Sequence, residues 1–303
     1  MYLPLKYNKQ QGIALIQVLI ITAVLTILAL FLTSTAKDQV KIALWADDKS
    51  AALVAVHNAQ AQLLFTLLTQ PKHLVSDKAA ASLMVENITN QWNFFAKPFP
   101  ITAQVQVSIQ DQSALIHAHF PNKTHFIALL VAHGETIDKA NALYDNLLDW
   151  QDLDNIQRAN GDESLTDFSK IRNGALPDLH DFNFIPGITP SLKALLVKNT
   201  TLVGKSFFNP MNAPKALLTA ITNVEIAQQV LQLRASQQLT NLQFSQLTGI
   251  VENDKIMLYP SNMLEIKLTG QVGSSEVQKS ILIELTPYAN EYQSPITIFS
   301  NKS

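Results

Sequence analysis

The chain has no cysteine, few glycines and little charge. Its 303 residues include no Cys and 9 Gly, and the formal net charge is -2. The absence of Cys excludes disulfides and cysteine metal sites. The small net charge provides no general attraction to nucleic acid or to anionic lipid. We find neither a Gly-rich phosphate loop nor a G-x-S-x-G elbow, so the common nucleotide-binding and hydrolase motifs are missing.

The most prominent feature is an apolar run near the N-terminus. Residues 13–32 carry no charge, and Gln17, Thr22 and Thr26 are the polar interruptions. Roughly 20 helical residues span the ~30 Å hydrocarbon core of a bilayer, so this run can cross a membrane once. Residues 1–12 contain Lys6 and Lys9 and no acidic residue. This bias predicts that the N-terminus stays in the cytoplasm and that the rest of the chain is exported.

The junction between these two segments resembles the class III signal of type IV pilins and pseudopilins. A short basic leader ends in Gly12, and the apolar helix starts at Ile13. The resemblance implies a bacterial inner-membrane protein with its head in the periplasm. It also implies that a prepilin peptidase cleaves between Gly12 and Ile13 and methylates the new N-terminus. A plain single-pass anchor protein whose exported part faces the periplasm is the alternative.

Gln17 is the residue at which this signal departs from most of the family. Most pilins and pseudopilins have Glu at this fifth mature position, where it is thought to pair with the N-terminus of a neighbouring subunit. Gln can donate and accept hydrogen bonds but cannot form that ion pair, and a polar group in lipid is costly without a partner. Among pseudopilins, protein K of type II secretion systems is known to lack this Glu.

Hydrophobic periodicity predicts the remaining elements. Apolar residues recur at helical spacing up to residue 70, and Pro71 ends the predicted stalk helix. Alternating residues 101–109 and 114–120 predict a β-hairpin around a turn at 111–113. Its second strand places His117 and His119 on one face, which we interpret as surface-facing because a third metal ligand is not evident. Further helices are predicted at 126–131, 137–150, 191–197, 214–222 and 224–235, and further strands at 247–251, 255–258, 263–272 and 277–285.

Strands on both sides of a helical block indicate an α+β fold with an inserted domain. We predict a leader at 1–12, a stalk helix at 13–70 that is transmembrane over 13–32, a discontinuous α/β head at 71–122 and 246–303, and an inserted α-domain at 123–245. The resemblance implies that the head is a pseudopilin antiparallel sheet and that the insertion is all-α, of the helix-hairpin-helix or SAM-like kind.

Several motifs in the predicted insertion are similar to those of protein K (GspK). Residues 147–154 read LLDWQDLD, which is similar to its L-x-D-W-x-D-x-D signature, and NGDE follows at 160–163. The segments at 173–179, 185–190, 208–214 and 231–234 resemble its later landmarks in the same order. The family pattern N-V-N-T-A-P is NPMNAP at 209–214, so this is a divergent member.

Clustered acidic residues near that signature suggest a cation site. Asp149 and its acidic neighbours lie at a predicted helix end and in the loop that follows, and Ca²⁺ prefers such hard oxygen ligands. The resemblance to protein K implies calcium and places its ligands at Asp152, Asp154, Asp162 and Glu163. The alternative is a solvated acidic loop that caps two helices.

The resemblance implies a function in assembly. It predicts a non-enzymatic minor pseudopilin at the tip of the type II secretion pseudopilus, with minor pseudopilins I and J, the prepilin peptidase and the inner membrane as partners. Residues 184–196 resemble a helix-hairpin-helix loop, which leaves a DNA-binding competence pseudopilin or minor pilin as an alternative. Because lysines are few there and Asp178 and Asp181 offset them, we expect a packing module and no nucleic-acid partner.

Overall fold

A computed structural model of the chain describes residues 13–72, 88–154, 156–161 and 172–302. Its first element is one helix, α1, over Ile13–Thr69. At about 1.5 Å per residue this helix is roughly 85 Å long. The absence of Gly and Pro allows this length, and the helix ends two residues before Pro71, as predicted. Thr22, Thr26 and Thr33 donate their hydroxyls to carbonyls one turn earlier, at 2.7–2.9 Å, so these polar groups are satisfied within the helix.

A five-stranded antiparallel sheet packs against the C-terminal half of α1. Its strands lie in the order β1-β2-β5-β6-β7. Their bounds are Phe99–Pro100, Val105–Asp111, Met263–Val272, Ser275–Leu285 and Ile296–Lys302. The residues of α1 that face the sheet recur at spacings of three and four, and they are Ala52, Val56, Ala59, Leu63 and Leu67, each at most 2 % exposed. The small residues among them allow the helix backbone to approach β5 closely at Gly270.

A helical block is inserted between β2 and β5 and forms a hydrophobic core of its own, separate from that of the sheet. Its helices are α2 to α7, at Lys123–Ala132, Ile137–Gln151, Pro190–Asn199, Lys215–Ile221, Val224–Ala235 and Asn241–Thr248. Two short strands, β3 at Ile116–His117 and β4 at Thr200–Thr201, pair in parallel at its edge. The α+β architecture predicted from the sequence is confirmed. The exact domain boundaries stay a prediction.

The predicted hairpin at 101–120 is wrong. β2 pairs with β1 and with β5, and Val105 lies opposite Gly270. The residues after β2 form a 3-10 turn, Gln112–Ala114, and β3 then pairs with β4 in the helical block. The chain therefore leaves the sheet at Asp111 instead of folding back along it.

Two of the later predicted strands are also wrong, and several observed elements were not predicted. Residues 247–251 include the end of α7, a loop and Gly249, which ends the helix with a φ of 72°. Residues 255–258 belong to a tight turn with isolated bridges at Ile256. The helix α7, the edge strand β7 and the two-residue strands β1 and β4 were missed. The strands predicted at 263–272 and 277–285 are confirmed as β5 and β6.

Candidate functional site

The N-terminal part of α1 has no protein packed around it. This is the one helix of the described residues that is long and apolar enough to cross a membrane, and none of its most apolar window is buried. Gln17 is exposed on this surface, so its amide is available to another molecule. Ile13 begins the helix, whereas the predicted cleavage residue Gly12 lies outside the described residues.

Beyond the apolar window, α1 continues to carry exposed large side chains. Val54 is 60 % and Phe65 is 61 % exposed, on the side of the helix opposite the residues that are buried on the sheet, and Trp45 is 60 % exposed before the sheet begins to cover the helix. The turn between β5 and β6 meets α1 at Asp48, whose carboxylate accepts a hydrogen bond from Ser274 N at 3.1 Å. One face of α1 therefore holds the head, and the opposite face exposes large apolar side chains.

The acidic cluster forms around an arginine. Asp149, which is fully buried at the end of α3, and Asp152 both form ion pairs with the guanidinium of Arg158. Asp149 also accepts a hydrogen bond from the backbone N–H of Arg158 at 3.2 Å. The hydrogen bond to Asp152 is the main cause of a raised pKa of Arg158. The loop after α3 is thus held against the helix by a cation that belongs to the protein itself.

Only half of the predicted calcium ligands lie among the described residues. Asp152 Oδ1 is buried and has no hydrogen-bond partner, which is the state of an oxygen that could bind a cation. Asp154 Oδ1 accepts a hydrogen bond from Ile156 N at 2.8 Å. Asp162 and Glu163 lie outside the described part of the chain. Within that part, no group of three or more His, Asp or Glu residues could hold a metal ion, and the calcium site stays a prediction.

His117 and His119 lie side by side, with ring centroids 5.4 Å apart. His119 Nε2 is 2.9 Å from the carbonyl of Leu176, which ties that ring to the helical block. Burial, and secondarily the neighbouring His119, lowers the pKa of His117. The two rings are partly buried rather than surface-facing, and the third ligand that a metal site would need is not found in the described residues.

The loop that resembles a helix-hairpin-helix motif packs on α3. Gly187 has a φ of 83°, and Thr189 then caps α4. Asn146 on α3 donates a hydrogen bond to the carbonyl of Pro186 at 3.0 Å. A Cβ on Gly187 would lie only 3.0 Å from the side chain of Leu143. The glycine therefore serves the close approach between this loop and α3.

Asp111 is the buried polar centre that the sequence analysis missed. Its side chain, fully buried, accepts six hydrogen bonds of 2.6–3.3 Å, three on each oxygen. The donors belong to the turn after β2, to the segment 209–212 of the helical block and to the loop before β5. They are the backbone and hydroxyl groups of Ser113 and Ser261 and the amides of Asn209 and Asn212. The two Asn of the NPMNAP segment therefore have a structural role: they join the helical block to the sheet.

Comparison with known proteins identifies the fold. No protein-family model matches the sequence, and no curated protein matches it significantly. Five chains of solved structures match. One belongs to the crystal structure of the GspK-GspI-GspJ complex from the enterotoxigenic Escherichia coli type 2 secretion system. It shares 15 % identity and a TM-score of 0.52, over 85 % of this chain and 97 % of that chain. The resemblance predicted from the sequence is thus confirmed at the level of the fold, which is similar to that of a component of this complex.

Proposed function

We propose that the chain is a minor pseudopilin at the tip of a type II secretion pseudopilus. The observation that carries the proposal is the fold likeness, which extends over 85 % of this chain to a component of a GspK-GspI-GspJ complex. By that likeness, partners similar to minor pseudopilins I and J would bind this chain and start the filament. The proposal assigns the chain a structural role and no catalytic one.

The geometry of α1 supports a role in assembly. Its apolar segment is not buried, and beyond that segment Val54 and Phe65 form an exposed apolar face on the side away from the sheet. A second long helix packed along this face would bury apolar surface at about 25 cal/mol per Å². We propose that this face contacts the stalks of the two partner subunits.

The position at the tip rests on two features of the chain. The helical block adds six helices to the five-stranded head among the described residues, which widens the subunit where another would have to stack. Gln17 replaces the carboxylate that most family members present to a neighbour. A subunit with a wide head and no such carboxylate can begin a filament but is poorly suited to its middle.

Processing at the leader tests membership of the pseudopilin class. We propose that the prepilin peptidase cuts after Gly12 and that the mature chain stays in the inner membrane with its head in the periplasm. Gly12→Ala should leave a form that is heavier by the twelve-residue leader, whereas the control Gln11→Ala should be processed normally. The two forms are separated by intact-mass measurement of the membrane fraction. Normal cleavage of Gly12→Ala would contradict the proposal.

We also propose that the loop after α3 binds Ca²⁺ through Asp152, Asp154, Asp162 and Glu163. Oxygen ligands of this kind suit the ion, and Asp152 Oδ1 is buried without a partner. Asp154→Asn is a suitable test because Asn keeps the oxygen that caps Ile156 N and removes the charge. Ca²⁺ should raise the melting temperature of the full chain over an EDTA sample, less so in this variant, and normally in Asp138→Asn. Equal responses of all three proteins would contradict the calcium site.

A further inference from the structure

A cleft of about 570 Å³ lies between the sheet and the helical block. The segment before and within β1 forms one wall, with Trp92, Phe94, Phe95 and Phe99. Met211 and the residues around α7 form the other. Cavities of this size and apolar character are typical of ligand-binding sites.

The charged side chains that the structure describes along the cleft are all basic. Its lining includes Lys72, Lys97 and Arg234, and no Asp or Glu is among the lining residues that the structure describes. This contrasts with the whole chain, in which acidic residues slightly exceed basic ones. The cleft is therefore a local positive site on a protein of slightly negative charge.

Arg234 is the most unusual of the three cations. It is 5 % exposed, and its guanidinium lies 5.1 Å from the ring centre of Phe95. It donates to two neutral carbonyls, Ala213 O at 2.8 Å and Pro210 O at 3.3 Å. Its Nε is buried without a hydrogen-bond partner, and no ion pair reaches it within the described ranges. Buried charges are normally paired, so this guanidinium lacks an anion.

Lys72 differs from Arg234 because an acid lies near it. Lys72 Nζ donates to Ser261 O at 2.8 Å and to the side chain of Asn262. The pKa of Lys72 is lowered to about 8, chiefly by burial and also by Lys205, while the nearby Asp111 acts in the opposite direction. Burial alone lowers the pKa of Arg234, to about 9. The positive charge of Arg234 is thus the one that a bound anion would compensate most.

We propose that this cleft binds an acidic side chain of a partner protein, next to an aromatic or aliphatic residue of the same segment. The carboxylate would pair with the remaining N–H groups of Arg234, and the apolar neighbour would cover Leu242 and Tyr259, which are 68 % and 44 % exposed in the lining. A bare inorganic anion would satisfy the arginine but leave the exposed side chains of Leu242 and Tyr259 in the lining in contact with water, which favours a peptide. The inference is independent of any role in secretion.

The test uses the full chain in lipid nanodiscs with ¹³C-methyl methionine. Met211 lines the cleft, whereas Met263 is buried in β5 and serves as an internal control. The probes are the peptides Ac-Phe-Glu-Phe-NH2 and Ac-Phe-Gln-Phe-NH2, which differ in charge alone. The Glu peptide should shift the Met211 signal saturably and leave Met263 unchanged. The Gln peptide should bind about tenfold more weakly, as expected for the loss of one buried charged hydrogen bond. Equal affinity for both peptides, or no shift of Met211, would overturn the proposal.

Variants separate the cleft from general positive charge. Arg234→Gln should remove the preference for Glu, and Arg234→Lys should keep part of it. Lys198→Gln, an exposed lysine of α4 outside the cleft, should bind like the parent. If Arg234→Gln loses the native Met263 signal and is therefore unfolded, Arg234→Lys decides the matter, because it keeps the charge but has fewer N–H donors. A preference for Glu in Arg234→Lys that equals that of the parent protein would then count against the proposal.

Discussion

Replacement of Asp111 should weaken the junction between the sheet and the helical block more than almost any other single change. In Asp111→Ala, Ser261 Oγ can still donate to Met263 O at 3.1 Å, and Asn209 Nδ2 to Tyr259 O at 3.0 Å. The backbone N–H groups of Ser113 and Ser261 and the amide of Asn212 lose their acceptor while buried. Each buried donor without an acceptor costs about 1–3 kcal/mol, so we expect the free energy of unfolding to decrease by about 4 kcal/mol.

Asp111→Asn should cause a smaller loss in the free energy of unfolding, and this loss depends on the same hydrogen bonds. The new amide nitrogen must replace one of two oxygens that each accept three hydrogen bonds. Oδ1 is the better site for it, because two of the donors there are hydroxyls that can rotate and accept. Only the backbone N–H of Ser113 then points at another donor, so the free energy of unfolding should decrease by about 2 kcal/mol.

Urea unfolding followed by tryptophan fluorescence measures both variants. Trp92 lies in the core of the sheet and Trp150 in that of the helical block, so Trp→Phe versions report each core separately. Hydrogen exchange should also become faster around residues 209–213 and 261–263. Asp254→Ala, which removes an exposed aspartate, is the control and should stay within about 0.5 kcal/mol of the parent. If Asp111→Ala unfolds at the same urea concentration as this control, the assigned role of Asp111 is refuted.

Two further predictions concern Lys72 and the packing of α1. Burial lowers the pKa of Lys72 from 10.5 to about 8, so between these values the unfolded chain binds more protons than the folded one. The free energy of unfolding should therefore rise with pH between about 8 and 10.5. The urea midpoint of unfolding measures this rise, which should be smaller in Lys72→Met. A Cβ on Gly270 would overlap Val56 and lie 3.3 Å from Ala52 O, so Gly270→Val should cost about 1–3 kcal/mol. Thr269→Val on the same strand is its control, and equal urea midpoints for the two would refute the close approach of α1.

Elements with a strong local pattern could be predicted from the sequence. The helix α1 has an apolar run followed by helical periodicity without Gly or Pro, and α6 was predicted with its observed bounds, Val224–Ala235. Strands β5 and β6 alternate clearly because one face of the sheet is buried under α1. In each case the pattern that predicts the element lies within the element itself.

Pairings over long distances could not be predicted in this way. Alternation in residues 101–109 shows that one face is buried, but it does not show that the partner strand is β5, more than 150 residues later. The edge strand β7 is mostly exposed and therefore lacks the alternation that marks a strand. The helix α7 did have local signals, a capping box at Thr240 and Gln243 and a C-terminal Gly249, and these should have outweighed the short apolar pattern at 247–251.

Polar contacts between distant segments could not be predicted from the sequence either. The sequence brought Asp149, Asp152 and Asp154 together because they are close in the chain, but it did not reveal that Arg158 neutralises the first two. Asp111 was placed in the turn of a predicted β-hairpin. Its burial depends on Asn209, Asn212 and Ser261, which come from distant segments, so no local pattern could identify it.

Copurification tests the proposed function most directly. The full chain would be coexpressed with the candidate minor pseudopilins I and J of the same bacterium, extracted in mild detergent and passed through gel filtration. The account predicts one complex that contains all three chains and that persists on dilution. Elution of this chain alone, while the other two subunits remain together, would contradict it.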